Sequence, residues 1–553
     1  MSSQAQIPAA SPGLGRASVL LASGTIVSRV LGFVKVVVLA AAIGQVASSS
    51  ADSFAIANQL PNNIYALIAG GLLSAVLVPQ IVRAGLHDDG GQRFINRVVT
   101  LGIVLFVGVT LVATIAAPLL ITLYAQQSTS GRGFTPDALA LATTFAYWCL
   151  PQVFFYALYS LLSEVLNARN VFGPFTWAPV LNNVVAIAGL VAFMVLFGNS
   201  QVNSAVGVWG PDRIVLLAGT ATLGVAAQAL ILFLFWRRAG LRYRPDFRWR
   251  GVGLGATGRA AGWLFAMILI TQIAGVFQSR IASIATGDAA SNSTLANAWL
   301  LFMLPHGIIA VSIATAYFTR MSGHANRGDL VSLRNDLSGS LRGIGLGMVF
   351  SAVALVVVAY PFARVFEADF GKVAAMGNVL LAFAPGLILF SMLFVIQRVF
   401  YSLGDTRTPF LMQCVQSGLF IIGALLCIAL PRGEIAVGIA AVTSIAGSAQ
   451  TIVAIILVRR RIGGMDGWTV LWRHLQYLGL AIVAGAAGTG VALALGSFSS
   501  DGFAQSGLAA AILTVAVIGV VMGIVYLGLL LAFRNPELAS ITNTVTARFT
   551  RSR

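Results

Sequence analysis

Three basic residues lie inside long apolar stretches of the sequence. Residues 23–44 read SGTIVSRVLGFVKVVVLAAAIG and carry Arg29 and Lys35, and a later apolar stretch carries Arg280. A charge at the centre of a bilayer costs about 2.5–3.5 kcal/mol on insertion scales, so an intramembrane cation indicates a function. Phosphate groups are strong partners for such cations. The pattern therefore predicts a binding site for an anionic substrate, most simply a phosphate or pyrophosphate.

The composition indicates which class of protein contains these cations. Of the 553 residues, 58% are hydrophobic and only 9% are charged, whereas a soluble domain carries about 25% charged residues. The chain is therefore predicted to be a polytopic membrane protein. Its net charge of +17 lies mostly in short loops between apolar stretches, a pattern typical of membrane topology and not of nucleic-acid binding.

Apolar stretches of sufficient length recur along the whole chain. A hydrocarbon core of about 30 Å requires roughly 20 residues per helix. By this criterion the sequence predicts an all-α fold with 14 transmembrane helices, at residues 18–44, 53–82, 96–124, 138–167, 174–198, 213–236, 257–286, 293–319, 338–362, 374–403, 408–430, 435–458, 470–496 and 505–533.

Every second loop between these helices is rich in arginine. The loop after the sixth predicted helix reads WRRAGLRYRPDFRWRG and contains six arginines. Because basic loops stay on the cytoplasmic side, both termini are predicted to be cytoplasmic, in a multi-pass protein of the bacterial plasma membrane. The same arginines are expected to bind membrane lipids at their headgroups.

The two halves of the chain resemble each other. Residues 151–175 and 385–410 both begin with a proline, continue as an apolar helix and end in Pro-Phe after a polar turn. Repeats with the same orientation indicate two lobes related by an axis along the membrane normal. The predicted divisions are a cytoplasmic tail (1–17), an N-lobe (18–238), a basic linker (239–256), a C-lobe (257–461), two additional helices (462–533) and a second cytoplasmic tail (534–553).

Residue types that carry enzyme chemistry are scarce. Only Lys372 of the two lysines follows a glycine, and no Ser or Thr comes next, so a Walker A motif is absent from the sequence. The four histidines lack metal-ligand spacing, and the three cysteines lie in apolar stretches. The sequence therefore predicts a protein that is not an enzyme and that uses no metal or cofactor.

The repeat places the first and seventh helices in equivalent positions, so their cations are expected to face a common cleft between the lobes. Ser28 and Lys35 are seven residues apart and share one helical face. Gly32 permits a bend that turns Arg29 toward the same space, and Asp52 is the nearest candidate counter-ion. The alternative for all three cations is that they extend to the lipid headgroups, which is harder for Lys35, about midway along its span, than for Arg29 and Arg280.

Other polar residues and prolines inside the predicted helices are weaker indications of a functional role. Gln278 and Asn297 are candidates for lining the cavity, although interhelical hydrogen bonding explains them equally well. Glu164 and Arg398 are candidates for a gate or an ion pair. Pro61 and Pro305 are candidates for hinges.

Several motifs together resemble one family. SRVLGFVK (28–35), ADSFAIANQLPN (51–62) and SAVLVPQ (74–80) resemble the opening of the MurJ (MviN) lipid II flippases, which belong to the multidrug/oligosaccharidyl-lipid/polysaccharide exporter superfamily. LNARNVFGPFTWAPVLNN (166–183) and RVFYSLGDTRTPF (398–410) resemble two later helix junctions of that family. The resemblance runs in order over the first twelve predicted helices, and the two additional helices agree as well.

The resemblance implies a two-lobed flippase that moves undecaprenyl-pyrophosphate-linked peptidoglycan precursor from the inner to the outer leaflet by alternating access. It implies a central cationic cavity that includes Arg29, Lys35 and the acidic position of Asp52, and a lipid-tail groove formed by the last two helices. The chain departs from many members at Tyr65 and Leu300, where arginines are expected, so its cavity is predicted to be less charged.

Two alternative functions are compatible with the sequence. One is another exporter of the same superfamily, for a different lipid-linked oligosaccharide or as a multidrug antiporter. A multidrug exporter predicts a cavity rich in carboxylates, whereas the candidate cavity residues here are mainly basic. The other is a non-transporting scaffold that binds cell-wall synthesis proteins, for which substitutions in the cavity are expected to be silent.

Overall fold

The structure is a computed structural model, and it describes residues 12–68, 91–128, 131–169, 171–248 and 258–539. The regular elements in these ranges are helices, and the one β-contact is an isolated bridge between Gln127 and Phe134. The predicted all-α fold is therefore confirmed.

The first half of the chain forms helices α1 to α8. Their bounds are Pro12–Ile43 (α1), Ser49–Ile68 (α2), Gln92–Ile115 (α3), Ala117–Tyr124 (α4), Pro136–Cys149 (α5), Gln152–Ala168 (α6), Phe172–Phe197 (α7) and Pro211–Leu234 (α8).

The second half of the chain forms helices α9 to α17. Their bounds are Gly258–Ala282 (α9), Asn292–Asn326 (α10), Leu330–Ala363 (α11), Phe370–Phe383 (α12), Gly386–Ser402 (α13), Arg407–Leu426 (α14), Arg432–Arg461 (α15), Gly467–Ala494 (α16) and Leu508–Ala532 (α17).

Within the described ranges, twelve helical spans are long and apolar enough to cross a membrane, with α5 and α6 counted as the single span Pro136–Ala168, and α12 and α13 form a thirteenth span if counted together. These two helices are bent by 43° at a break that contains Pro385, where a proline interrupts helical hydrogen bonding. The second predicted span, 53–82, begins in α2 and continues beyond Ile68, outside the described residues. The polytopic membrane fold is confirmed, and the total of 14 helices stays a prediction.

The chain divides into two compact units. Unit 1 consists of the described residues within Met1–Ile43, Ser53–Leu123 and Pro136–Ile268. Unit 2 consists of the described residues within Gly44–Asp52, Tyr124–Thr135 and Leu269–Arg553. Two short segments of the first half of the sequence, 44–52 and 124–135, thus belong to unit 2. The predicted lobe boundaries stay predictions.

In unit 1, helix α7 packs along both α1 and α8. Small residues permit this approach: a Cβ on Gly24 would lie 2.7 Å from the Thr176 side chain, and one on Gly224 would lie 2.8 Å from the Asn182 carbonyl oxygen. Close backbone approach at small residues is how helices associate where lipid removes the hydrophobic driving force. Asn182 also donates a hydrogen bond of 2.9 Å to Gln228 on α8, which fixes this helix pair.

The segment after α8 is extended and packs against α3 in unit 1. The backbone N–H of Asp246 donates to the Thr100 hydroxyl over 3.0 Å, and the Asp246 carboxylate lies 3.0 Å from the Arg97 guanidinium. Hydrogen bonds from the Arg248 backbone and from Arg97 lower the pKa of the partly exposed Asp246 carboxyl. The first part of the predicted basic linker is therefore an ordered segment held by polar contacts.

In unit 2, helices α11, α16 and α17 pack on one another. The Tyr526 hydroxyl donates to the Leu346 carbonyl over 2.9 Å, and the Tyr526 ring stacks on Phe350 with centroids 5.0 Å apart. Gly488 on α16 faces Met522 on α17 so closely that a Cβ would lie 2.5 Å from that side chain. The two additional helices predicted from the sequence are thus integral parts of unit 2.

Gly224→Ala should destabilise unit 1, because the new methyl would meet the Asn182 backbone, which cannot rotate away. Overpacking of this kind costs about 1–3 kcal/mol. Thermal unfolding of the detergent-solubilised protein should show a lower midpoint for this variant. The control is Gly219→Ala in the same helix, where a Cβ has its nearest neighbour 3.7 Å away. Equal midpoints for the two variants would contradict the described packing of α7 and α8.

Candidate functional site

Two predicted cations lie on α1 in unit 1. Arg29 is exposed and Lys35 is half-buried, and α1 is a continuous helix through Gly32 between them. Among the described residues, neither side chain makes an ion pair or a hydrogen bond. Two cations of a membrane-spanning helix therefore have no described protein anion to neutralise them, which leaves both able to bind an anionic ligand.

The backbone around these cations is fixed by α7. The side-chain amide of Asn183 donates a hydrogen bond of 2.9 Å to the Ser28 carbonyl oxygen. The same amide nitrogen lies 3.7 Å from the position that a Cβ on Gly32 would occupy. Asn183 thus supports the α1 backbone next to Arg29, about two turns of helix before Lys35, although a ligand contact by Ser28 and a hinge at Gly32 stay predictions.

The third predicted cation, Arg280, lies near the end of α9 in unit 2. Its guanidinium donates to the side-chain oxygen of Gln126 over 2.8 Å, and the Gln126 backbone N–H donates to Ser283 over 2.7 Å. This amide partner orients the guanidinium without neutralising its charge. A role for Arg280 in binding substrate, and one for the half-buried Gln278 on the same helix, stay predictions.

Asp52 is fully buried in unit 2, at the start of α2. One carboxylate oxygen accepts hydrogen bonds from the backbone N–H and the hydroxyl of Ser293, over 2.9 and 2.8 Å. Because Ser293 lies in the first turn of α10, the carboxylate satisfies a free N–H and lies at the positive end of that helix. The described partner of Asp52 is thus a helix terminus, and its predicted role as a counter-ion to substrate-binding cations stays a prediction.

Asn297, one turn further along α10, donates a hydrogen bond to the Gln45 side chain, which in turn donates to the sulfur of Met376 over 2.8 Å. This contact joins α10 to the turn that follows α1. Lining of a cavity by Asn297 stays a prediction.

The two predicted gate residues have different surroundings. In unit 2, the Arg398 guanidinium lies over three aromatic rings, with its carbon 4.6 Å from the centroid of Phe394, 5.3 Å from that of Phe318 and 6.0 Å from that of Tyr401. Cation–π attraction therefore holds this side chain. In unit 1, Glu164 is half-buried on α6. Their predicted gating role stays a prediction.

The predicted hinge prolines lie inside helices. Pro61 is within α2, and Pro305 is followed in α10 by a π-helical turn, His306–Ala310. Such turns occur mostly as local bulges and often at functional sites. The buried His306 ring lies 3.0 Å from the Ser391 hydroxyl, which anchors the bulge to α13. Hinge motion at either proline stays a prediction.

Sequence reasoning missed the polar turn Gly44–Ser48, which follows α1 and belongs to unit 2. Its Gln45 and Val46 are buried, and its partners lie more than 240 residues away in sequence. The run QVASSS directly after an apolar helix is an available signal for this turn, but nothing in the sequence identifies its partners.

Asp52→Ala should destabilise the protein, because it removes both hydrogen bonds that Ser293 makes with the carboxylate. Hydrogen bonds to charged groups contribute about 1.5–3 kcal/mol, so the thermal unfolding midpoint should fall clearly. The matched control is Asp52→Asn, which keeps an oxygen that accepts hydrogen bonds from Ser293 and should cost about half as much or less. An unchanged midpoint for Asp52→Ala would show that this carboxylate does not stabilise α10.

Comparison with solved structures supports the fold. A structure described as lipid II flippase MurJ in an inward closed conformation superposes with a TM-score of 0.69 at 19% identity, over 93% of this chain and 100% of that chain. An inward-facing multidrug resistance MATE family transporter of the MOP superfamily superposes with a TM-score of 0.61 at 18% identity, over 81% of this chain and 98% of that chain.

Sequence comparison identifies the family. A probable lipid II flippase MurJ from Haemophilus influenzae is 28% identical over 70% of this chain and 75% of its own length, and one from Buchnera aphidicola is 24% identical over 70% and 72%. The family model described as lipid II flippase MurJ matches residues 39–513, which is most of the sequence. The chain belongs to the lipid II flippase MurJ family.

Proposed function

We propose that this protein is a lipid II flippase, which moves undecaprenyl-pyrophosphate-linked peptidoglycan precursor from the inner to the outer leaflet of the plasma membrane. Membership of the MurJ family supports the substrate. The observation that carries the proposal is the pair of α1 cations, Arg29 and Lys35, which lack an anionic partner among the described residues.

The pyrophosphate is the part of the substrate that hydrocarbon opposes most strongly. Taking an ion out of water costs several kcal/mol unless a partner of opposite charge replaces the lost hydration. Lys35, near the middle of its span, supplies a mobile ammonium with three donors, and Arg29 adds a guanidinium that can bind two phosphate oxygens at once. Arg280 in unit 2 is proposed as a further cation that binds substrate.

Movement across the membrane is proposed to follow alternating access, in which a fixed site opens to one side and then to the other. The α1 cations would accompany the headgroup throughout, so that its charge is never uncompensated. The arginine-rich alternate loops favour cytoplasmic termini, and α16 and α17 are proposed to hold the undecaprenyl tail against their apolar surface.

A depletion experiment in the host tests this function. The protein is depleted, and the accessibility of lipid II to a reagent that acts only from outside the cell is measured. We expect accessible lipid II to fall while inner-leaflet lipid II accumulates, and re-expression of the wild type should reverse both changes. Unchanged accessibility would contradict lipid II transport and favour a different lipid-linked glycan or an exported amphiphile.

Lys35→Ala should fail to restore accessibility, because it removes the ammonium that pairs with the pyrophosphate. We expect a loss of transport of about tenfold or more, the factor that corresponds to a charge-assisted hydrogen bond of about 1.5–3 kcal/mol. Lys35→Arg keeps the charge and should restore part of the activity. The matched control is Lys372→Ala, the other lysine of the chain, which lies in the first turn of α12.

Each Lys35 variant is compared with wild type for its amount in the membrane and for its thermal unfolding midpoint, which should not change. Normal growth of cells that carry Lys35→Ala as their sole copy would contradict the proposed role of the cation. Loss of function in both Lys35→Ala and Lys372→Ala would point to a general effect of removing a lysine.

A further inference from the structure

The turn Gly44–Ser48 has an unusual backbone. Gly44 and Ala47 have φ angles of 84° and 55°, and the left-handed region costs a residue with a Cβ roughly 1–2 kcal/mol. Surrounding contacts must therefore hold Ala47 in this conformation. Its N–H donates to the Ala289 carbonyl over 3.1 Å, and the Gln45 carbonyl oxygen lies 2.8 Å from the Ser293 hydroxyl, whose single proton it shares with Asp52.

A buried carboxylate also holds this turn. Glu367 lies in the connection between α11 and α12, is 7% exposed, and accepts a hydrogen bond of 2.7 Å from the Val46 backbone N–H. Burial raises the pKa of the Glu367 carboxyl above its ordinary value, and the N–H groups of Val46 and Gln45 oppose that shift. Burying a carboxylate costs free energy unless hydrogen-bond donors compensate it, so the position of Glu367 against this turn indicates that the contact has a role.

The same connection reaches a second segment through Arg364. One terminal nitrogen of its guanidinium donates to the Glu367 carbonyl over 2.9 Å, and its Nε donates to the Gln505 carbonyl over 2.8 Å. A planar guanidinium can satisfy two such acceptors in fixed directions, whereas an ammonium cannot reproduce that geometry.

Gln505 lies in the hairpin between α16 and α17, residues 495–507. The hairpin is closed by hydrogen bonds of 2.8 Å from the Ala504 N–H to the Leu495 carbonyl and from the Gln505 side chain to the Ser497 carbonyl. The hairpin is therefore compact enough to transmit a displacement of its two helices to the Gln505 carbonyl.

We propose that Glu367 and Arg364 form a bracket that ties the turn Gly44–Ser48 to the hairpin between α16 and α17. Both are positioning residues: they touch the turn and the hairpin, and they act on the substrate through the helix that leads into the turn. That helix is α1, which carries Lys35 eight residues before its last residue, Ile43.

The consequence for transport rests on the proposed function. There, α16 and α17 hold the lipid tail and α1 holds the pyrophosphate, so the bracket is a physical link between the parts of the protein that bind the two ends of one substrate. Coupling between distant sites requires such a link and a measured interaction between its members.

Hydrogen–deuterium exchange of the full-length protein in detergent tests the bracket without any substrate. In Glu367→Ala, exchange in peptides covering residues 44–48 should rise about tenfold, which corresponds to one charge-assisted hydrogen bond of about 1.5 kcal/mol. Glu367→Gln keeps an oxygen that accepts from Val46 and should give an intermediate value. The matched control is Asp369→Ala, an acid of the same connection that caps α12 through the Lys372 N–H and should leave the turn unchanged.

Arg364→Lys tests the second half of the bracket. Exchange should rise in the hairpin, residues 495–507, and also in the turn, while peptides from α14 should stay at the wild-type level. The double variant Glu367→Ala/Arg364→Lys should raise exchange in the turn no further than Glu367→Ala alone, because the two residues act in series.

Unchanged exchange in the turn of Glu367→Ala, or an increase spread evenly over unit 2, would overturn the bracket. Additive effects of the two substitutions on the turn would overturn the link between them. These outcomes are independent of transport: if the bracket is found and depletion of the protein leaves the accessibility of lipid II unchanged, the proposed function fails and the bracket stands.

Discussion

The cost of placing charge in hydrocarbon is the constraint on which this protein depends. Lys35 and Arg29 lie on a helix that is otherwise apolar enough to cross the membrane, and the described residues give neither of them an anionic partner. Such cations persist in a membrane protein because a ligand or a solvated cavity compensates them. A pyrophosphate headgroup is an anion and faces the same cost in hydrocarbon. The α1 cations and the pyrophosphate can therefore neutralise each other.

Several described contacts hold α1 and the turn that follows it. Helices satisfy their own backbone hydrogen bonds, which the bilayer requires, and small residues let α7 approach α1 closely. Asn183 fixes the α1 backbone next to Arg29, while the turn that follows α1 is held by Ser293, Ala289 and Glu367. Support of this kind keeps a functional side chain in place through its backbone and leaves the side chain available.

The parts of the fold that depend on local sequence could be predicted. Apolar length placed some helices closely, as for the span predicted at 174–198 and found at Phe172–Phe197, whereas the helix predicted at 338–362 is found at Leu330–Ala363. Pro385 lies at the bend between α12 and α13. The contacts of Asp52 and Glu367 could not be predicted, because they join residues more than 240 positions apart and leave no periodic signal. The positive φ of Ala47 could not be predicted either, because tertiary contacts impose it.

The most direct measurement is the affinity of the purified protein for lipid II in nanodiscs, compared between wild type and Lys35→Gln at two salt concentrations. If the α1 cation binds the pyrophosphate, the dissociation constant should rise about tenfold in the variant, and the wild-type affinity should fall more steeply with salt than that of the variant. Equal dissociation constants with equal salt dependence would contradict the central claim that the intramembrane charge of α1 binds the substrate.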